Sequence, residues 1–289
     1  DYNDVDMTID DSNMMGEEIA VYYCQGSIVR METPSIYDSE QQIVSTKVIK
    51  DLQELADNSQ VKAVVLRINS GGGDAYASEQ IWRAVKELNK KKPVVVSMGG
   101  MAASGAYYMS MGAQYIMAQP TTLTGSIGIF GDLPDFSDLM TKMLGFKYDE
   151  VKTNRNSTYA SAGMSRPWSA EEIATMQNYV NRGYSLFRNR VAEGRKMSTE
   201  QVEKIAQGRV WLGTDAKKIK LIDGFGGLSD AIDKAAELAH LSSYQAVEYP
   251  ALAGWMEQLL DMAGGNKGTY LDEQLRLALG DLYQPFIMI

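Results

Sequence analysis

From Ile19 onward the chain alternates short, nearly continuous apolar runs with longer segments whose apolar residues recur every three or four positions. "IAVYYCQGSIV" reads as strand, and "IVSTKVIKDLQELADN" then places Ile43, Val48, Leu52 and Leu55 near helical spacing. "VKAVVLRINS" is a β-branched run without polar alternation, the pattern of a strand covered on both faces. It ends in "GGGD", after which Ala77, Ile81, Ala84, Val85 and Leu88 share one helical face. "KKPVVVSM", "GAQYIMAQ" and "GSIGIF" read as three further strands. Strand, loop, helix and strand in repetition predict an α/β fold with a mainly parallel sheet of βαβ units.

Beyond about residue 150 the pattern becomes helical. Ser169 and Glu172 form a capping box ahead of a long helix bearing Ile173, Met176, Val180, Tyr184, Phe187 and Val191 on one stripe. Ser198 and Gln201 repeat the device, and "LSDAIDKAAELAH" follows the turn "DGFGG". The first residues are acidic and polar, unlike a signal peptide, and read as a lead-in; the last stretch carries two short leucine-rich amphipathic segments. Both ends read as cuts within a longer polypeptide.

Composition narrows the function classes. The 289 residues are 45% hydrophobic and 22% charged, ordinary for a globular protein, and the net charge of −9 excludes a general phosphate-backbone binder, so no nucleic-acid partner is expected. The single cysteine, Cys24, sits in an apolar run and reads as core. No stretch approaches the ~20 apolar residues of a membrane span. No His/Cys/Asp/Glu spacing suggests a metal site, and no cofactor is expected.

Two stretches hold candidate chemistry. "NSGGGD", Asn69 to Asp74, sets three glycines between a strand and a helix, where backbone N–H groups can approach a ligand. It lacks the Lys-Ser/Thr of a P-loop and the spacing of a dinucleotide fingerprint, which leaves a tight turn or an oxyanion donor. In "GGMAASGAYYMS", Ser104 stands among small residues at a predicted strand-to-helix turn. A serine nucleophile needs a base. The one histidine, His240, falls at a helix end and reads as a cap or surface residue, so a Ser-His-Asp triad is not expected. The remaining base is a desolvated lysine, its pKa brought from ~10.4 toward ~7–8. Ser70 and Ser126 read as turn or supporting residues, Tyr107 and Tyr108 as packing, and Met98, Met101, Met109 and Met111 as core or an adaptable apolar pocket.

"LRINSGGGDAYASEQI", followed by "KPVVVSMGGMAASGAYYMSMGAQYIMAQPTTLTGSIGIFG" and later by "KIAQGRVWLGTDAKKIKLIDGFGGLSDAIDKAAELA", resembles the signal peptide peptidase A (protease IV) family over most of the chain. The resemblance implies a crotonase-like, Clp-protease-like α/β fold with a helical C-terminal part, and a serine endopeptidase with a Ser-Lys dyad that degrades cleaved signal peptides. Ser104 matches the nucleophile, Gly73 and Gly105 the oxyanion-hole donors, and the substrate pocket is expected at Met101 and Gly72. Short family members carry the lysine about fifty residues after the serine; here that place falls near Asn156, beside Arg155, with Lys152 a few residues early. In the long, two-repeat form the serine lies in the C-terminal half and the lysine in the N-terminal half, and this chain looks like that C-terminal half. The resemblance further implies signal-peptide substrates, an N-terminal half as partner, a homotetrameric ring, and a bacterial envelope enzyme anchored in the inner membrane and facing the periplasm. The expected organisation is a lead-in at 1–17, the peptidase domain at 18–245 and a helical segment at 246–289 offering an assembly surface. A crotonase-type acyl-CoA enzyme and a non-catalytic scaffold half of a peptidase ring are the alternatives.

Overall fold

A computed structural model describes residues 17–32 and 41–250, so the expected lead-in apart from Glu17, and the C-terminal segment beyond Pro250, lie outside the described residues. The chain divides into two compact units, Asp1–Glu248 and Tyr249–Ile289. In chain order the elements are β1 (Glu18–Gln25), β2 (Ser27–Val29), β3 (Gln42–Val44), α1 (Ser45–Asp57), β4 (Val61–Ser70), α2 (Ala75–Lys91), β5 (Val94–Ala103), α3 (Gly105–Ser110), β6 (Tyr115–Ala118), β7 (Leu123–Gly125), α4 (Ala170–Arg195), α5 (Thr199–Ile205), β8 (Val210–Leu212), α6 (Gly213–Lys218), β9 (Gly224–Phe225), α7 (Leu228–Ala239) and β10 (Gln245–Tyr249).

The main sheet runs β10-β1-β4-β5-β6-β9, with β7 added beside β5 and β8 beside β7; β2 and β3 form a separate parallel pair. Its pairs β1–β4, β4–β5, β5–β6, β5–β7 and β6–β9 are parallel, and β7–β8 is antiparallel, so the sheet is mixed although mainly parallel. Side chains alternate across a strand. One set, Ile19, Val21, Ala63, Val65 and Val95, packs on Ala231, Ala235 and Ala236 of α7. Helix α1 contacts β4 and α2 contacts β5 as well, and this cover on both faces is why Ala63 to Leu66 of β4 are buried without polar alternation.

Three expectations need correction. Ile43 is buried in β3 rather than in the helix that follows. Ala84 is only half-buried; Trp82 fills the inner face of α2 instead. The run "GSIGIF" is not a regular strand. The ladder with β5 stops at Gly125, where φ reaches 80°, and Ser126 follows at 49°; these two successive left-handed residues turn the chain, although Ser126 and Ile127 still bond the backbone of Arg209 and Gly208. Both capping boxes form as the sequence predicts, Ser169 with Glu172 and Ser198 with Gln201.

Candidate active site

Strand β5 positions the site by changing partners. It pairs with β6 at Val95–Ser97 and with β7 at Met101–Ala103, and between these its register against β4 slips, Ile68 facing Met98 but Ser70 facing Ala102. The extra residues form a bulge, a device that bends a strand and re-aims its end. Asn69 fills it: its side-chain oxygen accepts the Met101 N–H at 3.2 Å. The Thr124 hydroxyl bonds the Ala102 carbonyl at 2.7 Å, and the Ser104 N–H bonds the Gly125 carbonyl at 2.9 Å. The strand end is thus tied from both sides immediately before Ser104.

Ser104 itself has φ 53° and ψ −120°, a conformation that costs a side-chain-bearing residue of order 1–3 kcal/mol. It precedes α3, every residue of which is buried. The Ser104 hydroxyl has no hydrogen-bond partner among the described residues, so it neither caps the helix nor joins a turn.

The glycine loop closes against this turn. Gly72 donates to the Ser70 hydroxyl at 3.0 Å, and Ile28 bridges the loop, its N–H on the Gly72 carbonyl and its carbonyl accepting the Asp74 N–H, both at 2.9 Å. At Gly72 φ is +104°, and a methyl there would stand 2.6 Å from the Gly105 nitrogen and 2.9 Å from the Ser104 Cβ. A methyl at Gly105 would collide with the Ser78 hydroxyl and reach 3.2 Å from the Gly73 nitrogen. The small residues therefore serve close approach of two backbones. The N–H groups of Gly73 and Gly105 have no acceptor among the described residues, Gly105 because it opens a helix. A free hydroxyl beside two free amides is an arrangement able to attack a carbonyl and hold the charge that develops on its oxygen.

Ser104, Gly105 and Gly73 line one cavity of about 320 Å³, at the small end for ligand sites. One wall is Gly128–Gly131, whose backbone groups pair with no other described residue. The α4 stripe, Met176, Val180 and Phe187, also lines it, together with Tyr108, Arg30 and Tyr76, and Gly131 comes close to Val180. Gly72 and Met101 do not line this cavity: Gly72 is packed against the Ser104 turn, and Met101 is exposed with its sulfur near Gly71. The α4 wall is what the sequence reading missed. Its stripe carries the signature of core, yet Ile173 is exposed and Met176 and Val180 are half-buried, because this part of the helix faces an opening.

No lysine or histidine is among the lining residues. Asp74 lines the cavity but is committed elsewhere, capping α2 through the Ala77 N–H at 2.8 Å and pairing with Arg30 at 2.9 Å. Burial alone would raise its carboxyl; the Arg30 and Ala77 hydrogen bonds outweigh that and hold it below the usual range. Lys152 is half-exposed and paired with Glu150 at 2.7 Å, away from the lining set. His240 is an exposed left-handed C-cap of α7. Burial pushes the Cys24 thiol up to about 12, as suits a core residue. Among the described residues no helix is long and apolar enough to cross a membrane, and no acidic, cysteine or histidine cluster could hold a metal.

Residues 86–242 match the model of peptidase family S49, and residues 16–124 match that of Clp protease. Protease 4 of Salmonella typhi is 39% identical over 266 residues, covering 91% of this chain and 41% of that protein. The chloroplastic serine protease SPPA of Arabidopsis thaliana is 36% identical, covering 86% of this chain and 36% of its own length. A putative protease of Methanocaldococcus jannaschii is 39% identical, covering 81% of this chain and 75% of that protein. The chain thus spans about two fifths of the first two relatives.

Proposed function

This chain belongs to peptidase family S49, and from that premise we propose that it is a serine endopeptidase module of the Ser-Lys type with Ser104 as nucleophile. The observation that carries the reading is the strained, unpartnered Ser104 facing the cavity it shares with the free amides of Gly73 and Gly105. Glycine would adopt φ 53° without strain, so a side chain kept there favours a role for its hydroxyl. The Clp protease match over 16–124 supports placing the fold in the crotonase and Clp-protease class.

In the reaction, an extended peptide lies along the unpaired Gly128–Gly131 edge and adds a strand to it, with one apolar side chain in the cavity. The Ser104 oxygen attacks the scissile carbonyl, and the Gly73 and Gly105 amides bind the oxyanion. A lysine amine takes the hydroxyl proton and returns it to the leaving amine; water then cleaves the acyl-enzyme by the same route. That lysine comes from outside this chain, from a preceding sister half, because the in-chain candidate Lys152 is engaged by Glu150 and lies off the cavity. The substrates are cleaved signal peptides, and the assembled enzyme is a homotetrameric ring anchored at the bacterial inner membrane with this domain facing the periplasm.

The test is labelling of Ser104 by a serine-reactive probe, with and without the sister half. Labelling should be weak in the isolated chain, should rise at least tenfold when the half is joined, and should not change with Lys152→Ala. Full activity of the isolated chain that Lys152→Ala abolishes would place the dyad within one chain. Displacement of a bound CoA probe by acyl-CoA, without peptide cleavage, would favour the acyl-CoA alternative.

A further inference from the structure

The cavity beside Ser104 ends against two rings. Tyr108, one helical turn beyond Ser104, and Phe187 of α4 lie with ring centroids 4.5 Å apart, and both are almost wholly buried while lining the cavity. The polar end of Tyr108 is drawn elsewhere. Its hydroxyl donates to Glu79 of α2, and Arg190, one turn along α4 from Phe187, donates two N–H groups to the same carboxylate. The Arg190 guanidinium in turn lies 3.8 Å from the centroid of the Trp82 ring. Three helices meet in this cluster, and Glu79 and Arg190 are each about three-quarters buried. Neither Glu79 nor Arg190 lines the cavity, so a charged pair stands directly behind a floor that offers only ring surface. Burial and the Glu79 bond both push the Tyr108 phenol upward, so the hydroxyl remains a donor locked onto that carboxylate.

We propose that Phe187 and Tyr108 set the depth of the side-chain subsite at Ser104, and that the Glu79–Arg190 pair sets its polarity by holding the Tyr108 hydroxyl away from it. The inference rests on the peptidase reading above. At its floor the subsite then meets a substrate side chain with ring surface alone, so an apolar tip is favoured there over an amide, and the Phe187 ring bounds how far a side chain can reach.

The experiment measures kcat/KM for peptides differing only at the residue before the cleaved bond (alanine, leucine, tryptophan or glutamine), using this chain joined to its lysine-bearing half. Phe187→Ala should raise the tryptophan-to-leucine ratio at least tenfold, since one methylene in an apolar pocket is worth roughly 10–200-fold. Because losing a buried ring can unfold the chain, Val180→Phe, made on the half-buried wall, gives the opposite readout: the alanine-to-leucine ratio should rise by a similar factor. Glu79→Ala should raise the glutamine-to-leucine ratio, and adding Tyr108→Phe should restore the original preference. A purely structural ion pair would lower all four substrates together, with no rescue. Unchanged ratios in Phe187→Ala and Val180→Phe, while the parent still cleaves in a Ser104-dependent way, overturn this inference and leave the peptidase reading standing. Absence of any Ser104-dependent cleavage overturns the peptidase reading itself.

Discussion

Two segments flank the chemistry, and they are ordered by opposite means. The Ser104 turn with its glycine loop, Gly71–Gly73 and Ser104–Ser110, contains no charged side chain and is held by backbone hydrogen bonds and by contacts that leave no space for a Cβ. The segment 150–172 is held by ion pairs: Arg166 with Glu150 at 3.1 Å and Glu172 at 2.7 Å, Lys152 with Glu150, and Arg155 with Glu171. The first segment is one complete half of the proposed site, in which the Ser104 hydroxyl and the Gly73 and Gly105 amides are fixed by backbone geometry and close packing. The second is where the family resemblance leads one to expect a base, and here its described cations are all spoken for. A catalytic lysine needs burial without a carboxylate partner, and Lys152 has the reverse, a carboxylate partner and half its surface exposed. On the proposed reading the two halves of a dyad are separated: the half that depends on backbone strain stays with its strand and helix, while the half that depends on one side chain would be supplied by another domain.

The sharpest way to break this comparison is to relax the strained turn. Ser104→Gly should abolish probe labelling entirely while raising stability by about 1 kcal/mol, because glycine adopts positive φ freely. Thermal or urea unfolding checks the second half; a destabilised glycine variant would mean that Ser104 supports the fold rather than being held against it. Next in size, Gly72→Ala combines an unfavourable φ with a Cβ pressed on Gly105 and Ser104, and should cost about 2–3 kcal/mol and most of the labelling. Wild-type labelling in that variant would show that the loop and the nucleophile are not mechanically joined.

A smaller effect is expected in acid, and only in the charged segment. The Arg166 guanidinium beside Glu172, helped by the Ser169 hydrogen bonds, holds that carboxyl down to about 2. A depressed pKa contributes stability that is complete above the unfolded value near 4.5 and fades as pH falls from there toward 2. Glu172→Gln should therefore be less stable than the parent at pH 7 and should lose less between pH 5 and 2.5. Hydrogen exchange over the same range should open residues 150–172 before Gly105–Ser110. Simultaneous opening would mean that the two segments form one cooperative unit.

Much of this was legible in the chain. The apolar run in Val61–Ser70 announced a strand covered on both faces, Ser169 and Ser198 announced their helix starts, and "NSGGGD" and "GGMAASG" announced a glycine loop open to a ligand and a strand-to-helix turn at Ser104. Local chemistry suffices for such features, because hydrogen-bond satisfaction and steric room are decided within a few residues. The strand read in "GSIGIF" failed because β propensity there is overruled by left-handed backbone at Gly125 and Ser126, and composition does not report that. The stripe on α4 was legible as apolar but not as a wall. A helix carries the same periodicity whether it faces packed core or an open cavity, and only the position of α3 and of Gly128–Gly131 makes it the latter.

By itself, then, the sequence determined where small residues leave steric room around Ser104 and where glycines allow the backbone to turn, since those depend on residue size and on the conformations each residue tolerates. Only the tertiary structure decided what stands around that hydroxyl. The slip of β5 against β4 that aims Ser104, the meeting of Tyr108 with Phe187, and the engagement of Lys152 by Glu150 join residues far apart in the chain or settle between partners that are locally equivalent. Such outcomes are fixed by how helices and strands pack in three dimensions, for which no short stretch of sequence carries the instruction.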